Sequence, residues 1–488
     1  MEMALRTPEQ YLESLRDGRR VYMNGQRIED VTSAPVFKEA ALHLALSFRM
    51  SHDPEARHHV LATCPETGEE IAAFYLLPRS PEDLLKRREA IYQVSRYGEG
   101  YIPFIKEIGT DAIFALRMIA PQVDRKYGTQ YAERVKKYHH YAQAQDLALA
   151  GAVTDPKGDR RLRPHEQKNP DVFLRVVDRR EDGIVVRGAK CHITSSPLAN
   201  ELLVLPTRNM TEEDADYAVA FAIPVDTPGV TLIANPEHWS NDAFERPMSA
   251  KHPIIHAMIL FDDVFVPWER VFLCGEWEFA GPLALSFASW HRFTGLCYKG
   301  PVAELMLGAA ALIADFNGVG GSSVVRSKLR ELVIYIENIY TYSKLACYEC
   351  QVVEGIAWPN PLHCNIGKYL FADNYHLMIK HLQELTGGIG GTCPSVADYR
   401  LPELHEALDS YLCGREGIET EQRIRLVKLI RDLTSTCDAG VHMFGTVHGE
   451  GTLEAQRMMI LREFDFRPSL ELACRAAALD VDLGGIKV

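Results

Sequence analysis

The sequence predicts an α+β protein in three parts. They are an N-terminal helical domain over 1–147, a central β domain over 148–275 and a C-terminal helical bundle over 276–488. Two observations predict this. The apolar period is helical up to about residue 145, falls to two between about 148 and 275, and becomes helical again in longer segments. Within the middle region, short apolar runs follow one another between Gly, Pro and Asn turns with no helix interposed, the pattern of a small barrel or sandwich. A length of 488 residues, 47% of them hydrophobic, suffices for two or three domains and a large core.

In chain order, Ser80-Pro81-Glu82-Asp83 is a capped helix start leading to Leu84, Leu85 and Ile91, and 111–118 is a second apolar helical stretch. Strand patterns at 172–177 and 184–187 flank Arg180-Glu-Asp-Gly183, a hairpin signal in which glycine can take positive φ. Further short strands are expected at 202–206, 217–224, 230–233 and 258–266. Bundle helices are expected at 301–316, 323–353, 365–386, 420–443 and 453–479.

Composition removes several function classes. A net charge of −13 without a basic run argues against nucleic acid or an anionic membrane surface as a main partner. The eleven cysteines are scattered, odd in number and mostly within helical patterns, as for reduced thiols in a cytoplasmic protein. Residues 1–10 show no signal-type apolar core, and the longest apolar stretch, 305–314, is too short to span a bilayer. A soluble cytoplasmic protein is the expectation.

Several segments carry candidate chemistry. Gly387-Gly388-Ile389-Gly390-Gly391 would let backbone N–H groups approach a pyrophosphate, although a helix C-cap and loop also use glycine. It follows a helix and lacks the acidic residue of a Rossmann fingerprint. The turn-rich stretch with Thr154, Asp155, Lys157 and Arg160 reads first as a surface loop. His192, Thr194 and Ser195 close a strand with hydrogen-bonding side chains that could meet the polar edge of a flavin ring or line an ordinary sheet edge. Cys347-x-x-Cys350, with His363 and Cys364 beyond it, has a zinc or redox spacing but lies in a helical pattern, where buried cysteines are the simpler reading. His139-His140 reads as a polar helix face. Arg96 and Tyr101 sit around two glycines and could hold a substrate oxyanion or carbonyl. His291, Arg292 and Lys299 are expected at the start of the 301–316 helix, where cations are disfavoured unless an anion lies nearby.

Together, the segments 153–160, 182–190 and 261–270, with His448-Gly-Glu-Gly451 and Ala455-Gln456-Arg457, resemble the 4-hydroxyphenylacetate 3-hydroxylase and 4-hydroxybutyryl-CoA dehydratase superfamily. The resemblance covers nearly the whole chain. It implies an acyl-CoA-dehydrogenase-like fold, a homotetramer, and FAD held by Thr154, Asp155, Lys157, Arg160, His192, Thr194 and Ser195. Gly387, Gly388, Gly390 and Gly391 would reach a neighbouring subunit's flavin.

In the dehydratase branch, three cysteines and a histidine hold an iron–sulfur cluster. Here His291 and Lys299 match, Tyr298 stands where a cysteine ligand would be, and 96–104 contains no cysteine, although Tyr97 and Tyr101 keep the spacing of the missing pair. No cluster and no other metal site is therefore expected. His256 and Gly445 fall near two catalytic carboxylates of that branch. The resemblance then implies a flavin-dependent monooxygenase that takes reduced FAD from a partner reductase and hydroxylates a small phenolic or similarly electron-rich substrate. Arg96 and Tyr101 would anchor the substrate oxygen, and His256 or His291 would act as acid/base beside Tyr298 and Lys299. The alternative is a cluster-free acyl-CoA dehydratase, isomerase or dehydrogenase.

Overall fold

Ser80 starts the first long helix: its hydroxyl accepts the Asp83 N–H and Pro81 fills the first turn, giving α1 (Pro81–Tyr97). The computed structural model describes residues 5–235 and 239–483. After α1 come α2 (Glu107–Tyr127), which ends on a left-handed Gly128, and α3 (Tyr131–Ala144). On α3, His139 is buried with Nε2 2.8 Å from the Tyr75 carbonyl oxygen, so it lies in the core and not on a polar face. The N-terminal region is not wholly helical. A hairpin of β1 (Val21–Met23) and β2 (Gln26–Ile28) joins the central sheet, too short to show as an alternating pattern.

The central strands are β3 (Leu149–Ala152), β4 (Arg175–Arg179), β5 (Gly183–Thr194), β6 (Glu201–Val204), β7 (Val219–Pro224), β8 (Val230–Ala234), β9 (His256–Pro267) and β10 (Val271–Cys274). They form two sheets, in the orders β2-β1-β8-β9-β5-β4 and β10-β7-β6-β3. The predicted hairpin is β4–β5, closed by Arg180 N–H donating to the Gly183 carbonyl at 2.8 Å. Phe221 on β7 meets Phe261 on β9 edge to face at 6.1 Å, which packs the sheets as a sandwich. Neither sheet closes into a barrel.

The C-terminal domain departs from expectation at its first helix. In place of a glycine turn leading to a helix at 301, α4 runs unbroken over Ala280–Phe316, through Gly295 and Pro301. An interior proline costs about 3 kcal/mol. Burial offsets it, because Trp290, Phe293 and Leu296 lie fully inside and α4 packs on α1, α2 and, among later helices, most closely on two long ones. Those are α5 (Ser323–Tyr348) and α6 (Pro361–Thr386). The expected 420–443 helix breaks at Thr436 into α7 (Thr420–Thr434) and α8 (Cys437–His448), and 453–479 becomes α9 (Leu453–Glu463) and α10 (Arg467–Ala477). By length and composition α4 could cross a membrane, but here it is the core helix of the bundle and carries the buried Arg292 and Lys299. All eleven cysteines are free; Cys347 is buried near the end of α5 and Cys350 lies just past it.

Four imidazoles are held uncharged, His43 and His139 buried and His256 and His442 partly buried. Burial pushes the pKa of His43 and His139 down to about 3, and that of His256 and His442 down to about 4. The unfolded chain binds protons to these groups near pH 6.5 and the folded chain does not, so their contribution is present above that pH and is lost as pH falls towards the folded values. Asp438 acts with the opposite sign, since burial and Asp432 push its carboxyl up to about 7. The melting temperature is therefore expected to fall steadily from about pH 7 to about pH 5, below the unfolded histidine pKa. A flat calorimetric profile over that window would contradict this.

Candidate active site

Helical spacing places His291, Thr294 and Tyr298 on one side of α4, towards α2, which presents Glu107 and Asp111 one turn apart. Asp111 Oδ1 accepts from Thr294 Oγ1 at 2.8 Å and from Arg87 Nη2 at 2.7 Å, and its Oδ2 lies 3.4 Å from His291 Nδ1. Arg87, from α1, also donates to the carbonyls of Phe74 and Glu107 and to Thr110 Oγ1. The Arg87 and Asp111 side chains are 1% and 0% exposed. Asp111 thus lies against one ring nitrogen of His291, and among the described residues Nε2 has no hydrogen-bond partner, the arrangement a general base needs. Phe287, one turn back, stacks on that ring at 5.4 Å.

A second group reaches the same face from after α8. Glu450 sits in a left-handed backbone (φ 55°) between Gly449 and Gly451. A Cβ at Gly451 would lie 2.9 Å from Arg292 Nη2, and one at Gly295 would lie 3.0 Å from Glu450 Cδ. Gly295 therefore marks a close approach inside a helix, not a turn. Glu450 Oε1 accepts from Tyr298 Oη and from Lys299 Nζ at 2.7 Å, while Lys368 of α6 lies 3.5 Å from Oε2. Lys299 Nζ is also 2.9 Å from Tyr298 Oη. Arg292 fixes the turn, donating from Nε to the Glu450 carbonyl at 2.9 Å and from Nη1 to Asn365.

Burial pushes Lys299 down to about 7 against the pull of Glu450. Burial also acts to raise Glu450, but Lys299 and Lys368 outweigh it and hold the carboxyl well below the usual carboxylate range. Burial and Glu450 together keep Tyr298 protonated. The cationic group at His291, Arg292 and Lys299 therefore does not begin a helix. The anions beside it are the protein's own Glu450 and Asp111.

The loop after α1 leads to the other end of the site. Gly98 has no room for a Cβ, and Gly100 (φ 101°) lies against Leu305. Tyr101 is buried with its ring 4.3 Å from His442 of α8 and 6.3 Å from His252. His252 Nδ1 is 3.0 Å from His43 Nδ1. At the start of β9, His256 Nδ1 lies 3.1 Å from Thr194 Oγ1, and His442 and His192 add to the burial that keeps it uncharged. His192 (φ 59°) and Ser195 (φ 56°) both take the left-handed region at the end of β5, strain of a kind that gathers at functional edges. Lys157 and His448 face His192. From His442 to His448 is about 9 Å of helix. Phe104 meets Tyr298 edge to face at 4.8 Å. Phe104 thus links the loop that carries Tyr101 to the Tyr298 end of α4.

Other predicted residues lie elsewhere. Arg96 is on the outer side of α1 with its side chain 56% exposed, bonded to Tyr92 and near Glu304, so it does not join Tyr101. Asp155 is buried in the sandwich, paired with Lys190 at 2.8 Å and bonded to Thr207, and the Thr154 carbonyl accepts from Cys191 N–H. Lys157 and Arg160 are exposed. The glycine run begins at Gly387, 19 residues beyond Lys368, or about 28 Å along α6. Gly387, Gly388 and Gly391 have nothing within 4 Å of a Cβ position, so packing within the chain does not require glycine there. Among the described residues, no group of three or more His, Cys, Asp or Glu side chains is arranged to hold a metal ion. Cys297, beside Tyr298, points away: its thiol donates to the Phe293 carbonyl, and burial pushes its pKa up to about 12.

Two family models cover this architecture. The 4-hydroxyphenylacetate 3-hydroxylase N-terminal model matches residues 7–273, and the C-terminal model of the same family matches 280–478. The chain belongs to the 4-hydroxyphenylacetate 3-hydroxylase family. Within it, the chain is 33% identical over 492 residues to the 4-hydroxybutyryl-CoA dehydratase/vinylacetyl-CoA-Delta-isomerase of Clostridium aminobutyricum, covering 97% of this chain and 100% of that one. It is 30% identical to the 4-hydroxyphenylacetate 3-monooxygenase oxygenase component of Thermus thermophilus, covering 88% of each. Among solved structures, an oxygen-tolerant archaeal 4-hydroxybutyryl-CoA dehydratase from N. maritimus superposes with a TM-score of 0.92 at 30% identity, covering 99% of this chain and 97% of that one. The 4-hydroxyphenylacetate 3-monooxygenase oxygenase component complexed with FAD superposes at 0.88 and 27% identity, covering 96% and 98%. Glutaryl-coenzyme A dehydrogenase, at 13% identity and a TM-score of 0.52 over 94% of this chain and 96% of that one, shares the fold. The architecture is acyl-CoA-dehydrogenase-like, and the named relatives of 4-hydroxyphenylacetate 3-hydroxylase type are enzymes.

FAD, present in one of those structures, suits the residues found here. The His192–Ser195 edge would offer hydroxyls to a polar ring, exposed Lys157 and Arg160 would supply charge for a pyrophosphate, and the glycine run leaves room beside its backbone.

Proposed function

We propose that this protein is the oxygenase component of a two-component flavin monooxygenase acting on a phenolic or similarly electron-rich substrate. The observation that carries this reading is the set of hydrogen-bonding side chains at the two ends: Tyr101 with the uncharged His442 and His256 at one, and His291 beside Asp111 at the other. Neutral imidazoles accept a phenol proton, and a buried phenol donates to the oxygen that remains. Reduced FAD, delivered by a separate reductase, supplies the electrons and the activated oxygen. His192, Thr194 and Ser195 would face the ring, and Lys157 and Arg160 the pyrophosphate. Gly387, Gly388, Gly390 and Gly391 would serve the flavin of a neighbouring subunit. No helix residue of α10 is buried and Leu472 is 60% exposed, which supports assembly with further copies, a homotetramer in this reading. A monomeric mass by light scattering would remove that part.

The test is product formation from phenols with NADH, oxygen and an added flavin reductase. Turnover should vanish without the reductase. Efficient anaerobic turnover would overturn the reading.

A cluster-free acyl-CoA dehydratase, isomerase or dehydrogenase is the second reading. The full-length similarity to the Clostridium aminobutyricum enzyme favours it, with His291 and Asp111 as the proton-moving pair. It predicts calorimetric binding of CoA thioesters and none of phenols. In either reading the purified protein carries flavin without stoichiometric iron.

A further inference from the structure

We propose that Tyr298, Lys299 and Glu450 form a proton relay for the substrate hydroxyl, with Tyr298 touching the substrate and Glu450 positioning Lys299 behind it. The proposal deepens the phenol reading above and rests on it.

Exposure sets the direction. Tyr298 keeps part of its surface open beside Phe104, on the same side of α4 as His291, whereas the Lys299 and Glu450 side chains are each 2% exposed. A substrate can meet the phenol but not the two groups behind it. Lys299 Nζ lies within hydrogen-bond distance of both Tyr298 Oη and Glu450 Oε1, so the three groups are contiguous. Backbone is spent to build this: Glu450 adopts positive φ, two glycines flank it, Gly295 leaves space beneath it, and Arg292 clamps its carbonyl.

Beside Lys299 are Glu450 from the turn after α8, Lys368 from α6 and Tyr298 on its own helix, while Asp111 from α2 acts on Tyr298 and His291 on Glu450. Among these, the Glu450 carboxylate alone contacts it as an anion, while burial and Lys368 ease release of its proton. In the step, Lys299 enters unprotonated and the Tyr298 hydroxyl turns from Glu450 Oε1 to Lys299 Nζ; the substrate O–H breaks as its proton passes to Tyr298 Oη, and the Tyr298 O–H breaks as its proton passes to Nζ. The products are a substrate phenolate and an ammonium paired with Glu450. No electrons are exchanged, and Glu450 remains a carboxylate throughout.

4-Nitrophenol reports this directly, because its anion is coloured and its phenol is not. The FAD-loaded protein is titrated with it in buffer below the probe's own pKa, and difference spectra give the bound anion fraction. Wild-type protein should hold a larger anion fraction than free solution. Tyr298→Phe and Glu450→Gln should still bind the probe, with the ratio of anion to phenol about tenfold lower, one unit in the bound pKa. Glu450→Asp should recover part of the loss, which a purely structural role for the carboxylate would not produce. If Tyr298→Phe and Glu450→Gln, folded by circular dichroism, hold as much anion as wild type, the relay is wrong while the phenol reading stands. If wild-type protein does not bind the probe, the phenol reading falls and the relay with it.

Discussion

Replacing Arg87 with methionine should cost about 3–5 kcal/mol of folding stability, the range for removing one partner of a buried ion pair. The change keeps most of the side-chain volume but removes a donor from four acceptors: Asp111, Thr110 and the carbonyls of Phe74 and Glu107. The Asp111 carboxylate would then lie in the core with only Thr294 and the weakly bonded His291 beside it. The measurement is the shift in thermal or urea midpoint. A double variant, Arg87→Met with Asp111→Leu, should recover much of the loss, because the uncompensated charge goes with it. A single variant that loses less than about 1 kcal/mol would show that water or a neighbouring group replaces the guanidinium.

His291→Ala carries the largest expected effect on activity. Removing a positioned general acid/base lowers kcat by about 10²–10⁴-fold. KM should change little, since the ring contributes mainly in the transition state. The fold should tolerate the change, because the His291 side chain is partly exposed and makes no close hydrogen bond. Asp111→Asn should cost less, by misorienting the ring without deleting it. A His291→Ala enzyme within about threefold of wild type, far outside that range, would move the acid/base role to His256 or His442.

The fold was readable because period alone separates its parts. A run of alternating strands between helical regions becomes a sandwich, and Ser80 marks a helix start by side-chain capping. The continuity of α4 was not readable. Gly295 and Pro301 are local breakers, and only tertiary contacts with Glu450 and the surrounding helices show why the helix tolerates them. The site divided in the same way. His291, Tyr298, Lys299, Tyr101 and His256 could be picked out by residue type and by resemblance. Asp111 was hidden at the head of an apolar stretch that reads as plain core. Glu450 meets Tyr298 across 152 positions of sequence, a contact no local pattern encodes. Its signals were a charged residue set between two glycines and its place in the His448–Gly451 segment that carries the resemblance. Arg96 misled because sequence proximity to Tyr101 says nothing about which side of α1 it faces.

The unbroken run of α4 also constrains how such a site can change over descent. Seven residues separate His291 from Tyr298, nearly two full turns, so their directions differ by only about 20°. Deleting or inserting a single residue between them would rotate one away from the other by about 100°. Exchanging the side chain at either place leaves the backbone untouched. Lineages sharing this scaffold can therefore swap one reactive group for another by point substitution, whereas changes of length within this stretch are closed to them.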